Sequence, residues 1–150
     1  MSVLKRILYA EDSPMDVELT LAALEEHHLA NEVVAVGDGV EALDYLYRRG
    51  AFASREAGNP AVVLLDLKMP RVDGLEVLRQ VKSDPELRTI PVVIMTSSRE
   101  ERDLVESYRL GVNAYVVKPV DFEQFVAAVK EVGMFWAVVN EPPPDTAGGR

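Results

Sequence analysis

Four apolar runs in this chain each stop at a charged or hydroxyl-bearing residue. The runs cover residues 3–10, 62–65, 91–95 and 114–117, and the polar groups that follow them are Glu11-Asp12, Asp66, Thr96 and Lys118. If the runs are parallel strands of one sheet, their carboxyl ends lie along one edge, which is where open α/β sheets bind ligands. Three carboxylates, a hydroxyl and an ammonium group would then meet in one crevice. Such a concentration of negative charge is costly without a neutralising cation, so the pattern predicts a metal site.

The composition restricts the classes of protein to which the chain can belong. Its 150 residues fit one domain, and the absence of cysteine excludes disulfides, thiol catalysis and thiolate metal sites. The formal net charge of −9 argues against a general nucleic-acid binder, because neutralising phosphates requires a basic face. No apolar run approaches the roughly 20 residues that span a bilayer, and the N-terminus lacks the features of a signal peptide. We therefore expect a soluble cytoplasmic protein that binds neither nucleic acid nor membrane.

Strand and helix signals alternate five times along the chain. We predict strands at 4–10, 31–36, 61–66, 90–96 and 113–117, each followed by a helix. The uninterrupted, β-branched character of the third strand is typical of a parallel strand buried on both faces. Five βα units with short connections predict an α/β fold, a doubly wound five-stranded parallel sheet in the order 2-1-3-4-5, which is the flavodoxin-like (βα)5 arrangement.

Local signals mark the ends and faces of the helices. Capping pairs are predicted at Asp38 with Glu41 and at Ser98 with Glu101, and Gly111 is predicted to end the fourth helix. The apolar face of the second helix is predicted to comprise Val40, Leu43, Leu46 and Tyr47. These signals predict where the second and fourth helices begin, where the fourth ends, and which side of the second faces the core.

The end of the chain is predicted to be unstructured. The last helix is expected to run from about Asp121 to Val139, and the following ten residues contain three prolines in a row and too few apolar side chains to pack. We therefore predict a folded domain at 1–140 and a disordered tail at 141–150. Because this tail is too short for a DNA-binding module, we expect any output to pass through protein contacts.

The segments at the strand ends together resemble the receiver domain of two-component response regulators. They are Glu11-Asp12, Asp66-Leu67-Lys68-Met69-Pro70 with Asp73-Gly74, Thr96-Ser97 and Lys118-Pro119, and the resemblance covers about residues 4–138. Shorter segments resemble single-domain regulators that accompany phytochrome histidine kinases: Pro14-Met15-Asp16-Val17, Ser107-Tyr108, Val112-Asn113 and Phe135-Trp136. The resemblance implies a phosphoprotein of a two-component phosphorelay that accepts a phosphoryl group from a histidine kinase, with a phytochrome as the expected kinase.

The resemblance assigns the acidic residues to an acceptor and a metal site. Asp66 would be the phosphoacceptor. Glu11, Asp12, Asp66 and the main-chain carbonyl of Lys68 would hold Mg²⁺, with Mn²⁺ as an alternative ion. Taken singly, Asp66 also fits a helix N-cap, and Glu11-Asp12 also fits a pair of acids near a helix N-terminus.

The resemblance also assigns the residues that respond to the phosphoryl group. Thr96 and Lys118 would stabilise it, and Thr96 with Tyr115 would form the switch between two states. The bond between Lys118 and Pro119 would be a cis peptide. Without the family context, Thr96 fits an ordinary strand-end threonine, Lys118 a solvated surface lysine and Tyr115 a half-buried strand tyrosine.

The last helix is apolar beyond a single stripe, which is typical of a helix that meets a second surface. We predict a homodimer through the fourth helix, the fifth strand and the fifth helix. The predicted interface residues are Tyr108, Leu110, Tyr115, Phe122, Phe125, Phe135 and Trp136. The alternative is a monomer in which the tail folds back over these residues.

Two other functions compete with the receiver interpretation. A Mg²⁺-dependent phosphohydrolase with an aspartate nucleophile usually has a second aspartate two residues later, where this chain has Lys68. We therefore expect a signalling protein rather than a turnover enzyme. A pseudo-receiver would bind partners without phosphorylation and would not need the acidic crevice. A receiver, in turn, either acts on a downstream target or passes its phosphoryl group to a histidine phosphotransfer protein.

Overall fold

The computed structural model describes residues 3–25, 33–107, 109–119 and 121–131, and the fold is given for these residues. The strands are β1 Val3–Ala10, β2 Val33–Val36, β3 Asn59–Asp66, β4 Val92–Thr96 and β5 Ala114–Val117. The helices are α1 Pro14–Glu25, α2 Gly39–Tyr47, α3 Gly74–Ser83, α4 Arg99–Ser107 and α5 Phe122–Glu131. A short 3₁₀ helix spans Gly50–Phe52.

The strands form one parallel sheet in the order β2-β1-β3-β4-β5. This order confirms the predicted doubly wound topology. The winding direction of the chain reverses between β1 and β3, so a crevice opens outside the carboxyl ends of these two strands. Glu11-Asp12 and Asp66 stand at those two ends.

The central strands of the sheet supply the core. The residues of β3 from Pro60 to Asp66 and all residues of β4 are buried. One apolar cluster packs between the sheet and α2, α3 and α4, and a second cluster on the other face includes Leu24 of α1 and Phe125 of α5. The apolar residues of β3 therefore have partners on both sides, as predicted for a buried parallel strand.

The strand register brings the ends of the strands to one level. Ala10 pairs with Leu65, Asp66 with Met95 and Thr96 with Val117. Backbone hydrogen bonds continue beyond the strands, since Glu11 N–H donates to Val36 O at 3.0 Å and Lys118 N–H donates to Thr96 O at 2.9 Å. The polar residues that follow the strands consequently lie along one edge of the sheet.

Both predicted capping pairs are present. Asp38 Oδ1 accepts a hydrogen bond from the Glu41 N–H at 2.8 Å, and Ser98 Oγ accepts one from the Glu101 N–H at 3.2 Å. Asp73 is the N-cap of α3. Each cap satisfies an N–H group that the first turn of a helix leaves without a partner in the helix.

The apolar face of α2 differs from the prediction at one residue. The sequence predicts Tyr47 in this face, but its side chain is exposed, and Tyr45 is buried instead. Phe52 of the 3₁₀ helix packs edge-on against the Tyr45 ring, with ring centroids 5.2 Å apart. The connection after α2 therefore covers Tyr45, while the exposed Tyr47 ring has the Arg49 guanidinium 4.9 Å from its centroid.

The end of α4 also differs from the prediction. The described part of the helix extends to Ser107, and the helix has ended before Arg109 rather than at Gly111. Arg109 has a left-handed φ of 53°, which is incompatible with continuing a right-handed helix. Gly111, with a φ of 82°, therefore lies in the connection to β5 rather than at the helix terminus.

Three predictions lie wholly or partly outside the described residues. They concern the first two residues of the second strand at 31–32, the continuation of the last helix over 132–139, and the tail at 141–150. Within the described ranges, we find no helix of the length and apolar character needed to cross a membrane.

Asp38→Asn keeps an N-cap side chain but removes the charge that pairs with Arg71, and it is expected to lower the free energy of unfolding by about 1 kcal/mol at neutral pH. Burial raises the pKa of the Asp38 carboxyl, but hydrogen bonds from the Glu41 N–H and the Arg71 guanidinium outweigh burial and hold this pKa below its usual value. A carboxyl with a depressed pKa stabilises the fold above its unfolded pKa, about 3.9, and loses that contribution as the pH falls through the folded pKa.

Urea unfolding of the wild type and the Asp38→Asn variant over a range of pH measures this effect. The difference in stability should be full at pH 7 and shrink below about pH 4. Asp103→Asn, which changes an exposed aspartate on α4, is the control and should change stability by less than about 0.5 kcal/mol. A difference that stayed constant to about pH 3 would show that the Asp38 charge contributes nothing.

Candidate functional site

The carboxylates that follow β1 and β3 meet at the edge of the sheet. One ligand oxygen from each of Glu11, Asp12 and Asp66 lies within 4.8 Å of the others. Glu11 and Asp66 are 2% and 5% exposed, whereas Asp12 is exposed. The pairing of Ala10 with Leu65 produces this convergence, because it aligns the next residues of the two strands. The structure thus brings together the three carboxylates that the sequence pattern singles out.

Lys118 reaches into the same crevice from the end of β5. Its Nζ lies 2.7 Å from Asp66 Oδ1, 3.2 Å from Glu11 Oε1 and 3.4 Å from Asp16 Oδ2. Burial alone would lower the pKa of Lys118, but the carboxylates of Asp66 and Glu11 raise it above its usual value. The ammonium group therefore stays charged. The peptide bond between Lys118 and Pro119 is cis.

Burial raises the pKa of both inner carboxyl groups. For Asp66, Lys118 opposes the effect of burial and the charge of Asp12 adds to it. For Glu11, the charge of Asp66 adds to the effect of burial and Lys118 again opposes it. A single ammonium group therefore does not offset the three carboxylates, and the cluster is short of positive charge.

The carboxylate cluster fits a divalent cation. Glu11 Oε1 is buried and accepts no well-formed hydrogen bond from the part of the chain that the structure describes, although it lies 3.2 Å from Lys118 Nζ. Two further carboxylates, those of Asp12 and Asp66, stand beside it. In proteins, Mg²⁺ binds a few oxygen ligands, mostly carboxylates, and keeps several water molecules in its coordination shell.

A cavity of about 260 Å³ opens over the cluster. Its lining comprises Glu11, Asp12, Ser13, Asp16, Asp66, Lys68, Ser97, Glu101 and Lys118. Thr96 is buried and faces a separate cavity of about 470 Å³ between α4 and β5. Tyr115 is half-buried against the core, with the Arg102 guanidinium 4.7 Å from its ring centroid. Neither Thr96 nor Tyr115 is among the side chains that line the acidic cavity.

Two charged residues of this site escaped the sequence analysis as site residues. Asp16, in the first turn of α1, contacts Lys118. Glu101 is expected only as a helix cap, yet it also lines the cavity and lies 3.4 Å from Lys68 Nζ. Their position was the available signal, because the first turn of a helix that follows a strand borders the crevice at the strand ends.

The loop after Asp66 is packed against the start of α3. A Cβ atom at Gly74 would lie 2.2 Å from Asp66 O and 2.9 Å from Leu67 Cα, so only glycine fits there. Farther along the loop, Arg71 has a left-handed φ of 66° and pairs with Asp38 at 2.7 Å. The loop is therefore held at both α3 and the turn between β2 and α2.

The predicted dimer interface requires one correction. Phe125 is 0% exposed and packs in the apolar cluster between α5 and the sheet, so it is not available to a second copy and its assignment to the interface is wrong. Leu110 and Tyr115 are partly buried. The side chains of the other predicted interface residues, Tyr108, Phe122, Phe135 and Trp136, lie outside what the structure describes.

The sequence matches known proteins over most of its length. Residues 7–130 match the response regulator receiver domain family. The response regulator Rcp1 of Synechocystis sp. is 36% identical over 132 residues, which represent 88% of this chain and 88% of Rcp1.

Solved structures of related proteins have the same fold. The bacteriophytochrome response regulator RtBRR is 64% identical, with a TM-score of 0.85 over 97% of this chain and 87% of that chain. The phosphorylated cyanobacterial phytochrome response regulator RcpA is 41% identical, with a TM-score of 0.70 over 89% and 94% of the two chains. The Mn²⁺-bound form of Rcp1 is 33% identical, with a TM-score of 0.69 over 96% and 99%.

The chain belongs to the response regulator receiver family. The parallel sheet, its strand order and the acidic crevice at its carboxyl edge agree with this assignment, and the predicted family and fold are confirmed. Within the family, the chain is homologous to Rcp1 and to the bacteriophytochrome response regulators.

Proposed function

We propose that the protein receives a phosphoryl group on Asp66 from a histidine kinase. The position of the Asp66 carboxylate carries this proposal. It is buried, lies 2.7 Å from Lys118 Nζ and stands within 4.8 Å of ligand oxygens of Glu11 and Asp12. Phosphoryl transfer depends on positioning and charge neutralisation more than on covalent assistance, and these neighbours supply both.

In the transfer, an Asp66 oxygen attacks the phosphorus of a phosphohistidine. The O–P bond forms as the N–P bond breaks, and the electron pair of the broken bond stays on the imidazole nitrogen of the kinase. Lys118 is oriented for this step, because its Nζ already contacts Asp66 Oδ1. An ammonium group in this position can donate hydrogen bonds to the phosphoryl oxygens.

We assign the metal site to Glu11, Asp12, Asp66 and the main-chain carbonyl of Lys68. The ion would be Mg²⁺, with Mn²⁺ as an alternative, and when bound it supplies positive charge to the phosphoryl oxygens. The buried Glu11 oxygen, whose one close cation is Lys118 Nζ at 3.2 Å among the described residues, and the oxygen-only donor set support the assignment. The related Rcp1 has a Mn²⁺-bound form.

We further assign the switch to Thr96 and Tyr115. Thr96 ends the strand next to that of Asp66 and lines the cavity beside α4, so a turn of its side chain could bring the hydroxyl toward a phosphoryl group on Asp66. Tyr115 is on the neighbouring strand and is half-buried, with the Arg102 guanidinium of α4 over its ring. A contact that forms only in the phosphorylated state would shift the population between the two positions.

The proposed kinase is of the phytochrome type, because RtBRR and RcpA are phytochrome response regulators. The flank of the acidic cavity offers a surface for it. Met15 and Leu19 of α1 are 69% and 53% exposed and lie one helical turn apart, so they form a small apolar patch that a partner could cover. A histidine phosphotransfer protein, if it exchanges the phosphoryl group with Asp66, would use the same flank.

The remaining proposals concern the state of the protein in the cell. We propose a cytoplasmic signalling protein rather than a turnover enzyme, with a folded domain that ends near residue 140. We also propose a homodimer through α4, β5 and α5, which the exposed apolar side chains of Leu104 and Val117 on this face support. A monomer mass measured by sedimentation equilibrium at micromolar concentration would contradict the proposed dimer.

Labelling by acetyl phosphate tests the acceptor and the metal site together. The wild type should take up close to one phosphoryl group per chain in Mg²⁺ and none after chelation. Asp12→Asn should need roughly tenfold more Mg²⁺ to reach the same rate, because it removes one anionic ligand. Glu100→Gln, which is exposed and lines neither the acidic cavity nor the cavity beside α4, should match the wild type. Labelling that is independent of divalent ions would contradict the proposed site.

A further inference from the structure

Glu101, in the first turn of α4, engages three donors at the rim of the acidic cavity. Its Oε1 accepts a hydrogen bond from the Ser97 N–H at 2.9 Å. Its Oε2 accepts one from the Ser97 hydroxyl at 2.9 Å and lies 3.4 Å from Lys68 Nζ. The Glu101 side chain is only 16% exposed, whereas that of Lys68 is 80% exposed.

The carboxylate of Glu101 is charged at neutral pH. Both of its oxygens face donors, the Ser97 N–H and hydroxyl and the Lys68 ammonium group, which is the arrangement that an ionised carboxylate takes. A fixed negative charge therefore stands in the wall of the cavity that already contains the carboxylates of Glu11, Asp12 and Asp66.

The donors that Glu101 engages border the space that a phosphoryl group on Asp66 would enter. Ser97, Lys68 and Glu101 line the same cavity as Asp66. A phosphoryl group would bring about two negative charges and three acceptor oxygens into this space. Amide, hydroxyl and ammonium groups are the donors that such oxygens bind. In this structure the Glu101 carboxylate accepts hydrogen bonds from the first two and lies 3.4 Å from the third.

We propose that Glu101 is a positioning residue that competes with the phosphoryl group for the Ser97 and Lys68 donors, and that it slows the phosphorylation of Asp66. This inference rests on the proposed function of Asp66. The Glu101 contacts must weaken before the donors can turn toward a phosphoryl group, and its charge repels an anionic phosphodonor.

Acetyl phosphate isolates the chemical step from any contact with a kinase. An Asp66 oxygen forms the bond to phosphorus, the bond between phosphorus and the bridging oxygen breaks, and acetate leaves with the electron pair. Glu101 takes no part in these bond changes. Its effect should therefore appear in the rate of labelling and not in the identity of the labelled residue.

Glu101→Gln removes the charge and keeps the size of the side chain. In Mg²⁺, it should raise the initial rate of labelling by acetyl phosphate about three- to tenfold over the wild type, because one charge is removed from the path of an anion. Glu100→Gln is the matched control: it lies in the same turn, is exposed and is outside the cavity. It should leave the rate within about twofold. An unchanged or lower rate in Glu101→Gln would overturn the proposal.

Ser98→Ala distinguishes two explanations of a faster rate: loss of the competition of Glu101 for the Ser97 and Lys68 donors, and fraying of the start of α4. Ser98 Oγ accepts the Glu101 N–H at 3.2 Å, so this variant weakens the cap of α4 without changing a charge. It should label at the rate of the wild type. If Ser98→Ala accelerated labelling as much as Glu101→Gln, fraying of α4 would explain the result and the competition would be refuted.

A spectroscopic measurement on the wild type does not depend on how the variants fold. The amide proton resonance of Ser97 should move on phosphorylation more than that of Glu100, because only Ser97 exchanges a carboxylate acceptor for a phosphoryl oxygen. A Ser97 resonance that stays in place would overturn the proposal. Absence of any wild-type labelling would refute both the proposed function and this inference. Normal wild-type labelling with equal rates in all variants would refute only the role of Glu101.

Discussion

Asp66→Asn is expected to abolish labelling by acetyl phosphate, with a rate at least about a thousandfold below that of the wild type, or ~4 kcal/mol in the barrier. An amide oxygen lacks the charge and nucleophilicity of the carboxylate. The surroundings of Asp66 make the loss specific, because Lys118 is held at its Oδ1 and the carboxylates of Glu11 and Asp12 are arranged around it. Uptake of radiolabel in Mg²⁺ measures the effect.

The same substitution should leave the protein folded. It removes one of three crowded carboxylates that burial and mutual repulsion disfavour, so in the absence of a divalent ion the free energy of unfolding should equal or exceed that of the wild type. Urea unfolding after chelation checks this point and separates loss of labelling from loss of structure. Stoichiometric labelling of a folded Asp66→Asn variant would mean that another residue accepts the phosphoryl group.

Gly74→Ala is expected to lower the free energy of unfolding by about 2–3 kcal/mol. Alanine at the start of a helix would by itself stabilise the protein by up to about 1 kcal/mol relative to glycine. The new Cβ atom, however, would lie 2.2 Å from Asp66 O, and a backbone carbonyl cannot rotate away as a side chain can. The clash therefore outweighs the helix propensity of alanine, and the substitution should destabilise the protein. Relieving the clash must displace the backbone of Asp66 itself.

Gly37→Ala provides the matched control for this prediction. A Cβ atom there would meet Glu41 Oε1 at 3.7 Å, which is an ordinary contact, so we expect a change of less than about 0.5 kcal/mol. Thermal and urea unfolding measure both variants, and the rate of labelling should fall in Gly74→Ala and not in Gly37→Ala. A Gly74→Ala variant as stable as the wild type would show that the loop adjusts without cost.

Most of the fold is predictable from the pattern of apolar runs that end in polar residues. Strand positions followed from the hydrophobicity of β3 and β4, which are buried along nearly their whole length. The convergence of Glu11, Asp12 and Asp66 followed from topology, because adjacent parallel strands deliver their next residues to the same edge. The caps at Asp38 and Ser98 were predictable because they depend on local backbone geometry alone.

The remaining features depend on tertiary contacts that no local pattern contains. Tyr45 rather than Tyr47 is buried because Phe52, in a separate segment, packs on it. The apolar character of α5 on more than one side predicts an interface role for Phe125, but the sheet already covers this side chain, and no local pattern contains that contact. The partners of Asp16 and Glu101 were likewise unpredictable, since Lys118 and Lys68 approach from other parts of the chain.

Mapping of the phosphoryl group by peptide mass spectrometry tests whether Asp66 is the acceptor. After reaction with acetyl phosphate and Mg²⁺, we expect the modified peptide to contain Asp66, the modification to be absent after chelation, and no other peptide to carry it. A phosphoryl group found on a different residue, or formed equally well without a divalent ion, would refute the assignment of Asp66 and of its metal site.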